Sequence, residues 1–136
     1  MQGRSRNVLR RPENPVHIAQ NRLCGLAFRA AAVRAVRMGA CNLYHACAHN
    51  MLHEKSPEVL GALLKSAVFT VQAKHYCACG AYIRQHRALL EAVSGADRSI
   101  VESALAARAG DAPDFDRTSD LLFSWAGELI RQSPAE

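Results

Sequence analysis

The sequence predicts an all-α protein, a helical bundle of five to six helices. Three observations favour this fold: apolar residues recur at helical spacing, helix start and stop signals divide the chain, and no segment shows the alternation typical of strands. Only Val68–Val71 has strand-like residues, and a run so short and isolated is better interpreted as part of a helix. The prediction is therefore a bundle without a sheet.

The first half of the chain is predicted to contain a tail and two helices. Residues 1–14 are polar and basic, and we expect a flexible N-terminal tail. Residues 15–132 are expected to form a single helical domain. Its first helix should cover about residues 16–38, and its second about residues 40–54, because Gly39 is a weak point between them.

Clear helix signals divide the second half of the chain. Ser56 is a capping residue, Pro57 suits a first helical turn, and Glu58 favours the positive helix end. We expect this helical pattern to continue to about Val93, with a bend near Gly80. A helix capped by Asp97 and ending near Ala109 should follow, and then a last helix capped by Asp116 or Thr118. The last helix carries one apolar face: Leu121, Leu122, Trp125 and Leu129.

Composition favours a cytoplasmic protein of one domain. The 136 residues are 49% hydrophobic and 21% charged, as in ordinary globular proteins. No apolar run approaches the roughly 20 residues of a membrane span, and no signal-peptide core follows the basic start. The odd number of five cysteines argues against a disulfide framework. We interpret the net charge of +5 as a solvated basic tail and helix face rather than a nucleic-acid surface, because no nucleic-acid motif is present.

Cysteine and histidine are concentrated in two short windows, and their thiols and imidazoles are the groups suited to redox work, proton transfer and metal binding. The first window holds residues four apart, which form one stripe on a helix: Cys41, His45, His49 and His53. The second window holds residues spaced by four, three and four: His75, Cys79, Tyr82 and His86. We expect the functional site where these two stripes meet.

The order of segments from Ser56 to Ile130 carries a resemblance to a known family. The capped helix leads through His75 into a Cys-rich turn, a helix follows from His86, and a Gly/Asp-rich tail precedes the last helix. In this order the chain resembles the carboxymuconolactone decarboxylase and alkylhydroperoxidase D-like superfamily, over a little more than half its length. The resemblance implies that family's helical fold, side-chain chemistry without a cofactor, and a homo-oligomer, commonly a trimer or hexamer.

The redox branch of that family carries a Cys-x-x-Cys-x-x-x-His motif with an upstream Glu. Here Cys79 and His86 match the first Cys and the His, Tyr82 replaces the second Cys, and Ala67 falls near the Glu position. The resemblance implies a thiol-dependent peroxidase with Cys79 as the attacking thiol and His86 as its proton partner. Cys77 would resolve the oxidised thiol, although a Cys-x-Cys pair on a regular helix points about 200° apart. Tyr82 would donate a hydrogen bond in the pocket.

Three alternatives stay open at this point. In the decarboxylase branch, which would act on a lactone-like acid, Tyr76 is kept, but Cys77 replaces Glu and Ala81 replaces His, so no acid or base is present. A second alternative is a non-catalytic oligomeric relative. A third is a bundle that binds zinc or copper through the two stripes. Its candidate ligands are Cys41, His45, His49, His53 and His75.

Overall fold

The computed structural model describes the backbone of residues 15–132 and the side chains of residues 26–132. This part of the chain is all-helical, with five α-helices and no strand, which confirms the predicted class. The helices are α1 (Pro15–His49), α2 (Pro57–Cys79), α3 (His86–Ala92), α4 (Gly95–Arg108) and α5 (Phe115–Gln132). No helix in the described range is long and apolar enough to cross a membrane. The predicted flexible tail, residues 1–14, lies outside the described residues.

Helix α1 is one continuous helix where the sequence predicted two. It runs through Gly39 without a break, and at 1.5 Å per residue its 35 residues span about 52 Å. Gly39 has a packing role instead, because a Cβ atom there would lie 2.5 Å from Thr70 Oγ1 of α2. The missing side chain therefore allows α1 and α2 to approach closely, and the prediction of a helix end at this position was wrong.

The end of α1 is fastened to the start of α2 by a buried asparagine. A π-helical turn, Asn50–Glu54, extends α1 to Lys55, which adopts a left-handed conformation (φ 51°). The Asn50 side chain donates to the Ser56 carbonyl at 3.1 Å and accepts from the Ser56 amide at 3.0 Å. The Ser56 hydroxyl in turn accepts from the Val59 amide at 3.2 Å, so the predicted helix cap is confirmed.

Helix α2 ends earlier than the sequence predicted. Gly80 has φ +78°, and its amide donates to the Tyr76 carbonyl at 2.7 Å, which is the left-handed ending that glycine favours. Residues 81–85 are not helical, and α3 begins at His86. The expectation that the helical pattern continues to about Val93 with only a bend near Gly80 is therefore wrong, because α2 ends at this glycine.

The core lies where α2 and α5 pack against the C-terminal half of α1 and α4 packs against α2 and α5. Helix α1 contacts α2 and α5, while α4 contacts α2, α3 and α5. The apolar face predicted for α5 is largely confirmed, because Leu122, Trp125 and Leu129 are buried. Its cap is different, however: the Asp114 side chain accepts from the Arg117 amide at 3.2 Å, whereas Asp116 lies within the first turn. The other fully buried aliphatic side chains include Leu60, Leu64, Leu89, Ile100 and Val101.

Candidate functional site

A thiol and an imidazole meet at the exposed end of α2. Cys79 Sγ lies 3.1 Å from His75 Nε2 and 3.3 Å from the His75 backbone carbonyl. The two residues are four apart, so they lie on one face of α2, one turn from each other. Cys79 is exposed and His75 is half-buried. The pair thus combines an accessible nucleophile with a group able to take up and return its proton.

The position of this pair on α2 determines which groups can activate it. The C-terminal end of a helix carries a partial negative charge, which favours cations and opposes anions nearby. The dipole of α2 therefore does not stabilise a negative charge at Cys79. The basic group within reach of the sulfur is the His75 imidazole, whose Nε2 lies 3.1 Å from Cys79 Sγ.

His86 lies apart from this pair. Because α2 ends at Cys79 and Gly80 turns the chain, His86 begins a new helix instead of continuing the stripe of Cys79. Its side chain lines a groove with Arg84, Arg87 and Arg108, and Cys79 is not among the residues that line it. The structure thus pairs Cys79 with His75, where the sequence had paired it with His86.

Tyr82 fastens the loop after α2 to the body of the helix. Its hydroxyl donates to Gln72 Oε1 at 3.3 Å, and Gln72 Nε2 donates to the carbonyls of Ile83 and Arg84 at 3.1 and 3.2 Å. Gln72 is buried, so these contacts satisfy an amide that would otherwise be unpaired. The hydrogen bond of Tyr82 is therefore directed at the loop anchor rather than at the Cys79 thiol. The sequence analysis did not single out Gln72. Its only signal in the sequence is that it is a polar residue within an apolar run.

Cys77 lies on another face of α2. The Cys77 side chain borders a groove with Val33, Val36 and Leu129, while its carbonyl accepts from Arg29 Nη2 at 2.6 Å. Burial raises the pKa of the Cys77 thiol, and the nearby Arg29 charge opposes that rise. Both Cys77 and Cys79 lie within α2, so their side chains diverge by about 200°. A direct disulfide between them would require the last turn of α2 to unwind, which removes the structural support for Cys77 as the resolving thiol.

The first Cys/His stripe does not form a metal site in residues 26–132. No group of three or more Cys, His, Asp or Glu side chains converges there in a way that could hold a metal ion. The rings of His49 and His53 lie 5.0 Å apart, and His49 Nε2 is 3.9 Å from Glu54 Oε2. The π-helical turn that contains His53 changes the winding of the stripe, and His75 is engaged with Cys79 on α2. Cys41 and His45 are exposed on α1.

Cys47 belongs to the core rather than to the site. It is buried, and its thiol donates to the Ser119 carbonyl at 3.4 Å. Burial, with a smaller contribution from the Asp120 carboxylate, raises the pKa of this thiol to about 11. Cys47 therefore stays protonated at neutral pH, and within residues 26–132 it is the exposed Cys79 whose thiol contacts an imidazole.

Comparison with known proteins adds no relative: no family model, no curated protein and no solved structure matches this chain.

Proposed function

We propose that this protein is a divergent thiol-dependent peroxidase of the alkylhydroperoxidase D-like kind, with Cys79 as the attacking thiol and His75 as its proton partner. The observation that carries the proposal is the 3.1 Å contact between Cys79 Sγ and His75 Nε2 at an exposed helix end. The resemblance of residues 56–130 to that superfamily supports it. The change from the sequence-based expectation is that His75 takes the role first given to His86.

The proposed reaction begins with transfer of the Cys79 proton to His75. The Cys79 thiolate attacks one oxygen of a hydroperoxide, the O–O bond breaks, and the sulfur becomes a sulfenic acid. The leaving alkoxide or hydroxide takes the proton back from His75 and departs as an alcohol or water. The net reaction is one thiol plus one hydroperoxide giving one sulfenic acid plus one alcohol.

The second half of the cycle requires thiols from outside the chain. Tyr82 replaces the second cysteine of the family motif, and Cys77 points away from Cys79. Two molecules of an external thiol therefore restore the enzyme. The first forms a mixed disulfide with Cys79 and releases water, and the second releases Cys79 and leaves as the external disulfide.

The decarboxylase alternative has weaker support. Its motif would place Cys77 and Ala81 where an acid or base is needed, and the Ala81 methyl group carries no proton. The half-buried thiol of Cys77 has a raised pKa and keeps its proton near neutral pH. A lactone-like acid is thus a less suitable substrate than a hydroperoxide. The metal-binding alternative has no such support, because its candidate ligands do not converge in residues 26–132.

The proposal is tested by hydroperoxide consumption with dithiothreitol as the reductant. The wild type should turn over tert-butyl hydroperoxide, and Cys79→Ser should abolish turnover. Cys41→Ser is the matched control, because Cys41 is also an exposed cysteine but lies on α1. Equal rates in the wild type and Cys79→Ser would overturn the peroxidase proposal and leave the non-catalytic relative as the alternative.

We also propose that the protein assembles into a homo-oligomer, a trimer or hexamer. Four large apolar side chains are 64% to 66% exposed to solvent: Leu26, Phe28, Met38 and Phe69. Exposed apolar surface of this kind often marks an interface with another protein chain. Phe28 borders a groove of about 390 Å³ with Tyr76 and Tyr82, and Phe69 borders one of about 330 Å³ with Leu43 and Leu63. Contact with further copies of the chain would remove these surfaces from water.

Light scattering on the purified full chain tests the assembly. The wild type should have three or six times the chain mass, and Phe28→Glu or Phe69→Glu should reduce it. Leu52→Glu is the control, since Leu52 is equally apolar and 70% exposed but lies in the π-helical turn, outside both grooves. A monomeric wild type would overturn this part of the proposal.

A further inference from the structure

An open groove of about 490 Å³ lies between the start of α3 and the end of α4. One wall carries Arg84, His86 and Arg87, and the other carries Leu105 and Arg108. The groove is therefore basic on both walls, with the half-buried Leu105 beside Arg108, and neither wall contributes a carboxylate. Because Cys79 is not among the lining residues, the groove is separate from the proposed peroxidase site.

The three arginines of this groove have no acidic counterion in the described part of the chain. Elsewhere in residues 26–132 three carboxylates pair with other basic groups: Asp97 with Lys74, Glu102 with Arg98, and Glu128 with Arg131. Guanidinium groups stay charged at any ordinary pH, so Arg84, Arg87 and Arg108 repel one another across the groove. An anion bound between them would relieve that repulsion.

We propose that this groove binds a small oxyanionic ligand, one that carries phosphate groups or clustered carboxylates. The planar fork of an arginine matches two oxygens of a phosphate or carboxylate, and three arginines line this one groove. His86 adds a further donor from the same wall. Leu105 offers a surface for the apolar part of a ligand. The inference is independent of the peroxidase proposal, since it uses neither Cys79 nor His75.

Isothermal titration of the full chain with pyrophosphate and with citrate, in low-salt buffer, tests the inference. We expect saturable binding that weakens as sodium chloride is added, because the salt screens the charges. Arg87→Gln and Arg108→Gln should each weaken binding about tenfold, and the double variant should abolish it. Stronger binding of pyrophosphate would identify a phosphorylated ligand, and stronger binding of citrate a polycarboxylate.

Arg34→Gln is the matched control, since it removes the same charge from α1, outside the groove. Circular dichroism establishes that each variant is folded. The inference is overturned if the wild type binds neither anion, or if the Arg34→Gln protein loses as much affinity as the groove variants. Binding of a single-stranded oligonucleotide without binding of pyrophosphate or citrate would also overturn it, in favour of a nucleic-acid surface.

Discussion

The indole nitrogen of Trp125 donates a hydrogen bond of 2.8 Å to Asp97 Oδ1, and Lys74 Nζ lies 2.8 Å from Oδ2 of the same carboxylate. The three residues belong to α5, α4 and α2, so one carboxylate joins three helices. The Asp97 side chain is only 19% exposed. Removal of the Asp97 carboxylate would leave the Trp125 indole N–H and the Lys74 ammonium group partly buried and without their hydrogen-bond acceptor.

Asp97→Ala should therefore lower the free energy of unfolding by about 2–3 kcal/mol. Asp97→Asn should lower it less, because an amide oxygen still accepts from Trp125. Glu102→Ala is the control: it removes an exposed ion pair with Arg98, which is worth about 1 kcal/mol or less. Urea denaturation measures all three variants, and equal losses for Asp97→Ala and Glu102→Ala would contradict the three-helix role.

Gly39→Ala should destabilise the protein even though alanine favours helices. The added Cβ would lie 2.5 Å from Thr70 Oγ1, so either this hydroxyl would have to leave its hydrogen bond to the Ser66 carbonyl or α1 and α2 would have to move apart, at a cost of about 1–3 kcal/mol. Gly61→Ala is the matched control in α2, where a Cβ meets nothing within 4 Å. That variant should gain up to about 1 kcal/mol from helix propensity.

A second-site change tests the same contact. Thr70→Ala removes the hydroxyl that the new Cβ would meet, so the double variant should be more stable than the additive sum of the two single variants. Simple additivity in thermal or urea unfolding would indicate that Gly39 is not a close-packing position.

The buried thiol of Cys47 should make stability fall at alkaline pH. Its folded-state pKa is about 11, against an ordinary value of 9.0, so the folded protein holds this proton more tightly than the unfolded chain. The resulting stabilisation is fully present below pH 9 and is lost as the pH rises from about 9 to 11. It amounts to about 2–3 kcal/mol. Urea titrations should show a shallower decline over this pH range for Cys47→Ala than for the wild type or for Cys41→Ala, and identical slopes would contradict the assignment.

Gln72→Met should loosen the loop between α2 and α3. The substitution leaves the carbonyls of Ile83 and Arg84 without their donor, at a cost of about 1–2 kcal/mol. Cleavage by trypsin after Arg84 should therefore be about five to thirty times faster, because local opening is more frequent. Tyr82→Phe removes only the 3.3 Å contact with Gln72 and should have a smaller effect. Wild-type cleavage rates in Gln72→Met would contradict the anchoring role.

Local signals in the sequence were sufficient for the fold class and for several helix ends. Ser56 caps α2 as predicted, because hydroxyl caps act over only three residues. The prediction at Gly39 was wrong because the role of this glycine depends on a residue far away in the sequence. A glycine that ends a helix and one that admits a neighbouring helix look the same in sequence, and only the position of Thr70 separates them.

The sequence indicated the residues of the candidate site but not which of them lie in contact. Cys79 and His75 were both singled out, yet the family motif favoured His86, which would share a face with Cys79 only if α2 continued. Gly80 ends α2 directly after Cys79, so the helical spacing that links Cys79 to His86 does not exist. Gln72 was missed because its hydrogen bonds reach 11 and 12 residues along the chain, beyond any local pattern.

The pairing of Cys79 with His75 is tested most directly by the rate at which peroxide converts Cys79 to its sulfenic acid. The rate is measured by dimedone trapping and mass spectrometry in the wild type, His75→Gln and His86→Gln. We predict a loss of about 100-fold or more in His75→Gln, as expected for removal of a proton-transfer group, and a wild-type rate in His86→Gln. A large loss in His86→Gln with an unchanged rate in His75→Gln would contradict the account.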